Sequence, residues 1–159
     1  MQMRNFHLMM AFISGLNNAA VARLKFTHER LSASSVKRLE EVQTCMDLSG
    51  SFKNYREALT VTTKPTIPYL GVHLQDLVFI EDGNPDRIDV LINWRKRVYA
   101  ANVIQAILQY QDKRYPEVDR REHQQVLRFL DTVPQLSQEE MFATSLRLEP
   151  RGAQRQDIT

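Results

Sequence analysis

Apolar side chains recur along this chain mostly at intervals of three and four, the spacing of a helix face. Phe6, Met9, Met10, Ile13 and Leu16 form one such stripe, with Leu8 and Phe12 apolar on the other side. A helix apolar on nearly all sides predicts a place inside a helical domain. Gly15 and the Asn17-Asn18 pair supply its stop signals. A second helix is predicted from Ser34 or Ser35, either a competent N-cap, through Val36, Leu39, Val42 and Met46. Ser49-Gly50-Ser51 breaks that pattern, and Ser51 is placed to cap a helix carrying Phe52, Tyr55 and Leu59. Lys64-Pro65-Thr66-Ile67-Pro68 reads as an extended connection, because each proline biases its predecessor away from the right-handed helical region.

Helical spacing returns from Tyr69 to Glu81 and ends in the dense turn chemistry of Asp82-Gly83-Asn84-Pro85-Asp86. A long helix is predicted from about Leu91 to Gln111, apolar at Val98, Ala101, Ile104 and Leu108. Two helices joined by so short a turn form a hairpin, residues 69–111. Further helices are predicted at Val118–Leu130 and Gln138–Leu148. Ser137, with Glu140 three residues on, gives the latter a capping box. The fold class is therefore all-α.

Composition narrows the function more than the fold. A length of 159 residues suits one domain, and 43% apolar with 25% charged residues is globular. Twenty-one basic against nineteen acidic residues leave +2, too balanced to indicate nucleic acid or an anionic membrane as partner. Cys45 is the single cysteine, which excludes an internal disulfide or a cysteine-based metal cluster and suits a reducing interior. Asn5 to Ala22 carries no formally charged side chain. Asn5, His7, Ser14, Asn17 and Asn18 interrupt it, so a buried helix fits better than a signal peptide or a membrane span.

Candidate chemistry mostly fails. Asp82, Asn84 and Asp86 fall at positions one, three and five of a calcium loop. Arg87 occupies the sixth position, where the sharp turn needs glycine, and Asn93 the twelfth, where a bidentate glutamate belongs. His7, His28, His73 and His123 show no ligand spacing, so no metal site is expected. Glu81 and Asp82 diverge by about 100° on a helix and cannot face one substrate. Arg95-Lys96-Arg97 is the usual signature of a solvated face. No glycine-rich phosphate loop exists, and no cofactor is expected. Any activity must come from binding.

The runs FKNYREAL (52–59), PTIPYLGVHLQDLVFIEDGNPD (65–86), LINWRKR (91–97) and QYQ (109–111) resemble, in order and spacing, the catalytic domain of Ras-family guanine-nucleotide exchange factors of the Son of Sevenless type. RNFHLMMAFISGLNNAAVARLK (4–25) resembles that family's helix with an Asn-Phe start, and SLRLEPR (145–151) is similar to the end of the domain. The resemblance covers essentially the whole chain. It implies the carboxy-terminal part of such a domain, with amino-terminal helices missing and further domains upstream. In that case the apolar surface of the first helix lies open.

By that resemblance the hairpin wedges beside the nucleotide site of a Ras-like small GTPase (Ras, Rap or Ral type). It displaces Switch I and stabilises the nucleotide-free state without covalent chemistry. Val78 matches the apolar residue that helps close the magnesium site, and Asp82 the acidic residue acting near the phosphate pocket. Phe52 and Tyr69 match an aromatic pocket for Switch II, with Met10 as its floor. Ser14, Asn17 and Asn84 match polar contacts to the GTPase, and Trp94 a packing aromatic at the hairpin's base. Each position also has an ordinary reading: core for Phe52, Tyr69 and Met10, hairpin packing for Val78, and helix end or turn for Asn17 and Asn84. The implied location is cytoplasmic, with membranes reached through the GTPase or missing regions and no direct insertion. The rival reading is a noncatalytic helical module that binds a GTPase, or serves as a scaffold, without accelerating release.

Overall fold

The computed structural model describes residues 4–60, 65–116 and 120–158. Helices α1 (Phe6–Leu16), α2 (Ala19–Ala22), α3 (Lys25–Glu29), α4 (Ala33–Cys45) and α5 (Ser49–Thr60) are followed by α6 (Leu70–Gly83). Two short strands, β1 (Arg87–Ile88) and β2 (Leu91–Ile92), precede α7 (Trp94–Leu108), α8 (Arg120–Thr132) and α9 (Gln138–Leu148). The fold is all-α, and the antiparallel β1–β2 ribbon is a detail of the hairpin turn. The chain divides into two compact units, Met1–Ala11 with Glu41–Tyr115, and Phe12–Glu40 with Pro116–Thr159.

The core of the first unit is aromatic. Tyr55 is completely buried, with Phe6, Cys45, Met46, Phe52, Leu59 and Val72 also buried. Phe6 meets the Tyr55 ring edge-on at 5.2 Å. Asn5 accepts the Leu8 N–H at 2.9 Å and so starts α1, which explains the Asn-Phe pair: one residue caps, the next fills the core. The extended proline segment pairs with this start, Phe6 N–H donating to the Ile67 carbonyl at 2.9 Å and Ile67 N–H to the Arg4 carbonyl at 3.1 Å. Only part of α1 is covered. Phe6 and Ile13 are buried while Leu8 and Phe12 are exposed, so the expectation of an all-round buried helix is corrected to a one-faced helix.

In α5, Ser51 does not cap as expected. Gly50, Ser51 and Phe52 all sit in the left-handed region, with φ of 60°, 57° and 61°. A cap needs extended backbone, so the right-handed helix begins only after Phe52. The Arg56 Nε donates to the Ser51 carbonyl at 2.8 Å and closes this turn.

The helix predicted from Leu91 starts later, because Leu91 and Ile92 pair with Arg87 and Ile88. Asn93 then caps α7, accepting from Lys96 N–H at 3.3 Å while its amide donates to the Pro85 carbonyl at 2.9 Å. The stripe that α7 turns inward runs through Lys96, Ala100, Val103 and Ile107, with Tyr110 in the turn just after the helix. The expected stripe of Val98, Ala101, Ile104 and Leu108 is exposed.

In the second unit α2 packs on α9. Ser137 and Glu140 form the predicted capping box. Arg23 donates to the carbonyls of Ser145 at 2.7 Å and Glu149 at 2.6 Å. The Glu149 carboxylate accepts from Thr27 N–H at 2.7 Å and Phe26 N–H at 3.3 Å. Burial opposes its charge, yet these donors and the nearby Arg23 hold the carboxyl below its usual range. Val118, the predicted start of the following helix, lies outside the described residues; α8 is described from Arg120 and exposes Val126, Phe129 and Leu130.

Candidate functional site

The hairpin carries Tyr69, Val78, Asp82, Asn84 and Trp94 among the sequence-selected residues. α6 has no side-chain cap of its own at Tyr69. Its start is held from outside by the Tyr55 hydroxyl, which accepts the Tyr69 N–H at 2.9 Å. At the other end Lys96, with a side chain only 3% exposed, reaches Glu81 Oε1 at 2.9 Å and Asp86 Oδ1 at 3.0 Å. It also donates to the Glu81 carbonyl at 3.2 Å, one of the carbonyls that the last turn of a helix leaves open. The hydrogen bond to Glu81 holds the ammonium pKa above its ordinary value, and the bond from Lys96 holds the Asp86 carboxyl below its own. Lys96 is thus a buried clamp and not part of a solvated basic face, which corrects the sequence reading of Arg95-Lys96-Arg97.

Between these fixed ends α6 turns Leu74, Val78 and Asp82 outward at i, i+4 and i+8, all exposed. Val78 is 55% exposed, so about half of its surface faces solvent on the outer side of the hairpin. Glu81 pairs with Lys96, while Asp82, the adjacent residue, stays on the outer stripe. The two carboxylates diverge as their spacing requires.

Near the start of α6 stand the aromatic residues. Phe52 and Tyr69 lie 6.2 Å apart, ring to ring. Phe52 is 8% exposed and Tyr69 is half-buried, so one ring of the pair is covered and the other partly open. Tyr69 folds back over Gly71, where an added Cβ would lie 2.5 Å from the phenol Cζ. On α1, Met10 is half-buried, and it is His7, a turn earlier, whose ring meets Tyr69 at 6.1 Å.

The remaining positions divide. Asn84 ends α6 and donates to the Ile80 carbonyl at 3.0 Å, so it shapes the turn. Ser14 and Asn17 are exposed and belong to the second unit. Trp94, expected to pack at the hairpin's base, sits instead beside the turn, 74% exposed, while Lys96, two residues on, is the buried side of that first turn. Sequence reasoning missed Tyr55, Arg56, Asn93 and Lys96. Tyr55 was read only as an apolar position of its helix, and Arg56 and Lys96 carried no local signal because polar residues on a helix read as surface by default.

Among the described residues no cluster of His, Cys, Asp or Glu is placed to hold a metal ion, and no helix is long and apolar enough to cross a membrane. Cys45 is buried, and burial pushes its thiol pKa up, away from reactivity.

Comparison with known proteins gives the family. The RasGEF domain family model matches residues 1–98, and the chain belongs to that family. It is 35% identical over 156 residues to Ras guanine nucleotide exchange factor I of Dictyostelium discoideum, covering 98% of this chain and 19% of that protein. Factor K of the same organism is 39% identical over 158 residues, covering 99% of this chain and 10% of that protein. Rap guanine nucleotide exchange factor 1 of Homo sapiens is 34% identical over 155 residues, 97% of this chain and 14% of that protein. The chain therefore spans a minor part of the length of these relatives.

Proposed function

We propose that this chain promotes guanine-nucleotide exchange on a Ras-like small GTPase, by binding and without making or breaking a covalent bond. The observation that carries the reading is a hairpin helix fixed at both ends whose outer stripe presents Leu74, Val78 and Asp82. A rigid lever with an apolar and an acidic group on one face suits displacement of a switch segment beside a phosphate site. Val78 would occupy the space near the magnesium ion, and Asp82 would repel or replace phosphate contacts. The Phe52–Tyr69 pair supplies an aromatic anchor for the GTPase surface, the kind of pocket in which binding energy concentrates. The whole stretch is taken as exchange-domain sequence, since the named relatives match 97–99% of it.

The energetics are those of linkage. A partner that binds the empty GTPase more tightly than the loaded one weakens nucleotide binding by the same factor. A 10⁴-fold weakening needs about 5.5 kcal/mol of differential contact. That is within reach of a hairpin and one aromatic pocket.

Release of a fluorescent GDP analogue from Ras-, Rap- and Ral-type GTPases, with and without the chain, tests the reading. Acceleration on at least one is expected and names the partner subfamily. No acceleration by a helical, monodisperse sample would leave the noncatalytic GTPase-binding module as the better account.

A further inference from the structure

Two consecutive residues of α5 hold the start of α6. Tyr55, fully buried, accepts the Tyr69 N–H at 2.9 Å, and its own proton faces the Tyr69 carbonyl at 3.3 Å and His73 Nε2 at 3.4 Å. Arg56 makes a two-pronged pair with Asp76, Nη1 to Oδ2 at 2.8 Å and Nη2 to Oδ1 at 2.7 Å. Tyr69, His73 and Asp76 follow at i, i+4 and i+7, so α5 grips one stripe of α6 over two turns.

The third arm of Arg56 gives this grip a second consequence. Its Nε donates to the Ser51 carbonyl, within the left-handed turn that carries Phe52. A bulky residue at a φ of 61° is strained, and such a conformation persists only where its surroundings hold it. The same guanidinium thus restrains the turn that presents Phe52 and the helix whose start presents Tyr69. Lysine cannot do both, because it offers a point charge where arginine offers a planar fork.

We propose that Arg56, braced by Asp76 and seconded by the Tyr55 hydroxyl, is a positioning residue that sets the spacing of the Phe52–Tyr69 pocket and thereby the affinity for the GTPase. The proposal rests on the exchange reading above. It separates the two ends of the hairpin: Arg56 governs docking at the root, whereas the Val78–Asp82 stripe nearer the turn is held independently by Lys96.

The test uses Arg56→Lys and Asp76→Asn in the full chain, with helicity checked by circular dichroism. Exchange kinetics should show KM for the GDP-loaded GTPase raised about tenfold, with kcat within about twofold of wild type. Amide hydrogen exchange should accelerate at Phe52 and residues 69–73 and stay unchanged at 94–97. A loss of fold alone would instead raise exchange throughout and lower the active fraction without moving KM. Wild-type activity with unchanged KM in both folded variants overturns this proposal alone. Absence of exchange by the wild-type chain overturns the exchange reading itself.

Discussion

Lys96 and Asp86 meet at 3.0 Å across the turn of the hairpin, and the same ammonium reaches Glu81 at 2.9 Å. One cation therefore closes the end of α6, the loop and the start of α7. Lys96→Met keeps the stem's volume but leaves the Glu81 carbonyl without its donor. The unfolding midpoint should fall by a few degrees and exchange should slow severalfold. An unchanged midpoint together with unchanged exchange would show that the capping by Asn93 suffices.

Asp82 faces solvent on the outer stripe, with no hydrogen bond or ion pair to its carboxylate among the described residues. Asp82→Ala should leave thermal stability unchanged and slow exchange at saturating GTPase about tenfold, a loss of about 1.4 kcal/mol of differential contact. Affinity for the loaded GTPase should be nearly that of wild type. Equal loss of affinity and rate would place Asp82 in docking and not in the displacement step.

Tyr69 lies on Gly71, and this contact allows the pocket and the helix to be perturbed separately. Gly71→Ala should strengthen α6 intrinsically, by up to about 1 kcal/mol, while pushing the phenol off its seat. The expected result is a protein at least as stable as wild type with a weaker GTPase complex. Tyr69→Ala should weaken the complex by about 2 kcal/mol. Titration against nucleotide-free GTPase reads both.

His73 is buried beside Tyr55, with Arg56 and Asp76 as the charged groups near it. Burial depresses its pKa, and although Asp76 opposes this, the ring is held neutral below its ordinary value. The unfolded chain therefore binds the proton first. Stability contributed by neutral His73 is complete above about pH 6.5 and is lost as pH falls toward the depressed folded value. Between pH 7.5 and 5.5 the midpoint of the wild type should drop more than that of His73→Gln. Parallel curves would remove His73 as the source.

Ser51 adopts φ 57° without a glycine's freedom. Ser51→Gly should stabilise the chain by roughly 0.5–1 kcal/mol, since relief of left-handed strain exceeds the added entropy of the unfolded state. Denaturant midpoints measure it. A loss of stability would mean that the serine hydroxyl contributes more than its backbone costs.

Much of this architecture can be read from spacing alone. α9 with its capping box and α6 with its terminal turn follow from local rules, and local rules need only neighbours in sequence. The register of α7 does not follow, because its buried residue is a lysine and its less exposed aliphatic positions are Ala100, Val103 and Ile107 in place of the expected ones. A buried cation becomes favourable only when Glu81 and Asp86 arrive from the other side of a turn, a circumstance invisible to periodicity. Phe52 shows the same limit: the family resemblance singled it out, with ordinary core as its other reading, but nothing in the local sequence announced three successive left-handed residues. The outer stripe of α6 was legible because residues four apart share a helix face whatever else surrounds them.

The tie between Arg23 and Glu149 bears on how the protein is made. It joins positions 126 residues apart, so it cannot form until nearly all the described chain has left the ribosome. The unit built from Met1–Ala11 and Glu41–Tyr115 has all its parts once Tyr115 is synthesised. The unit built from Phe12–Glu40 and Pro116–Thr159 must wait, its first segment held unpartnered while the other unit can already fold. During that interval α2 has no α9 to pack on and the Phe26 and Thr27 amides of α3 have no Glu149 carboxylate to receive them, which leaves residues 12–40 without these partners while the chain is still being made.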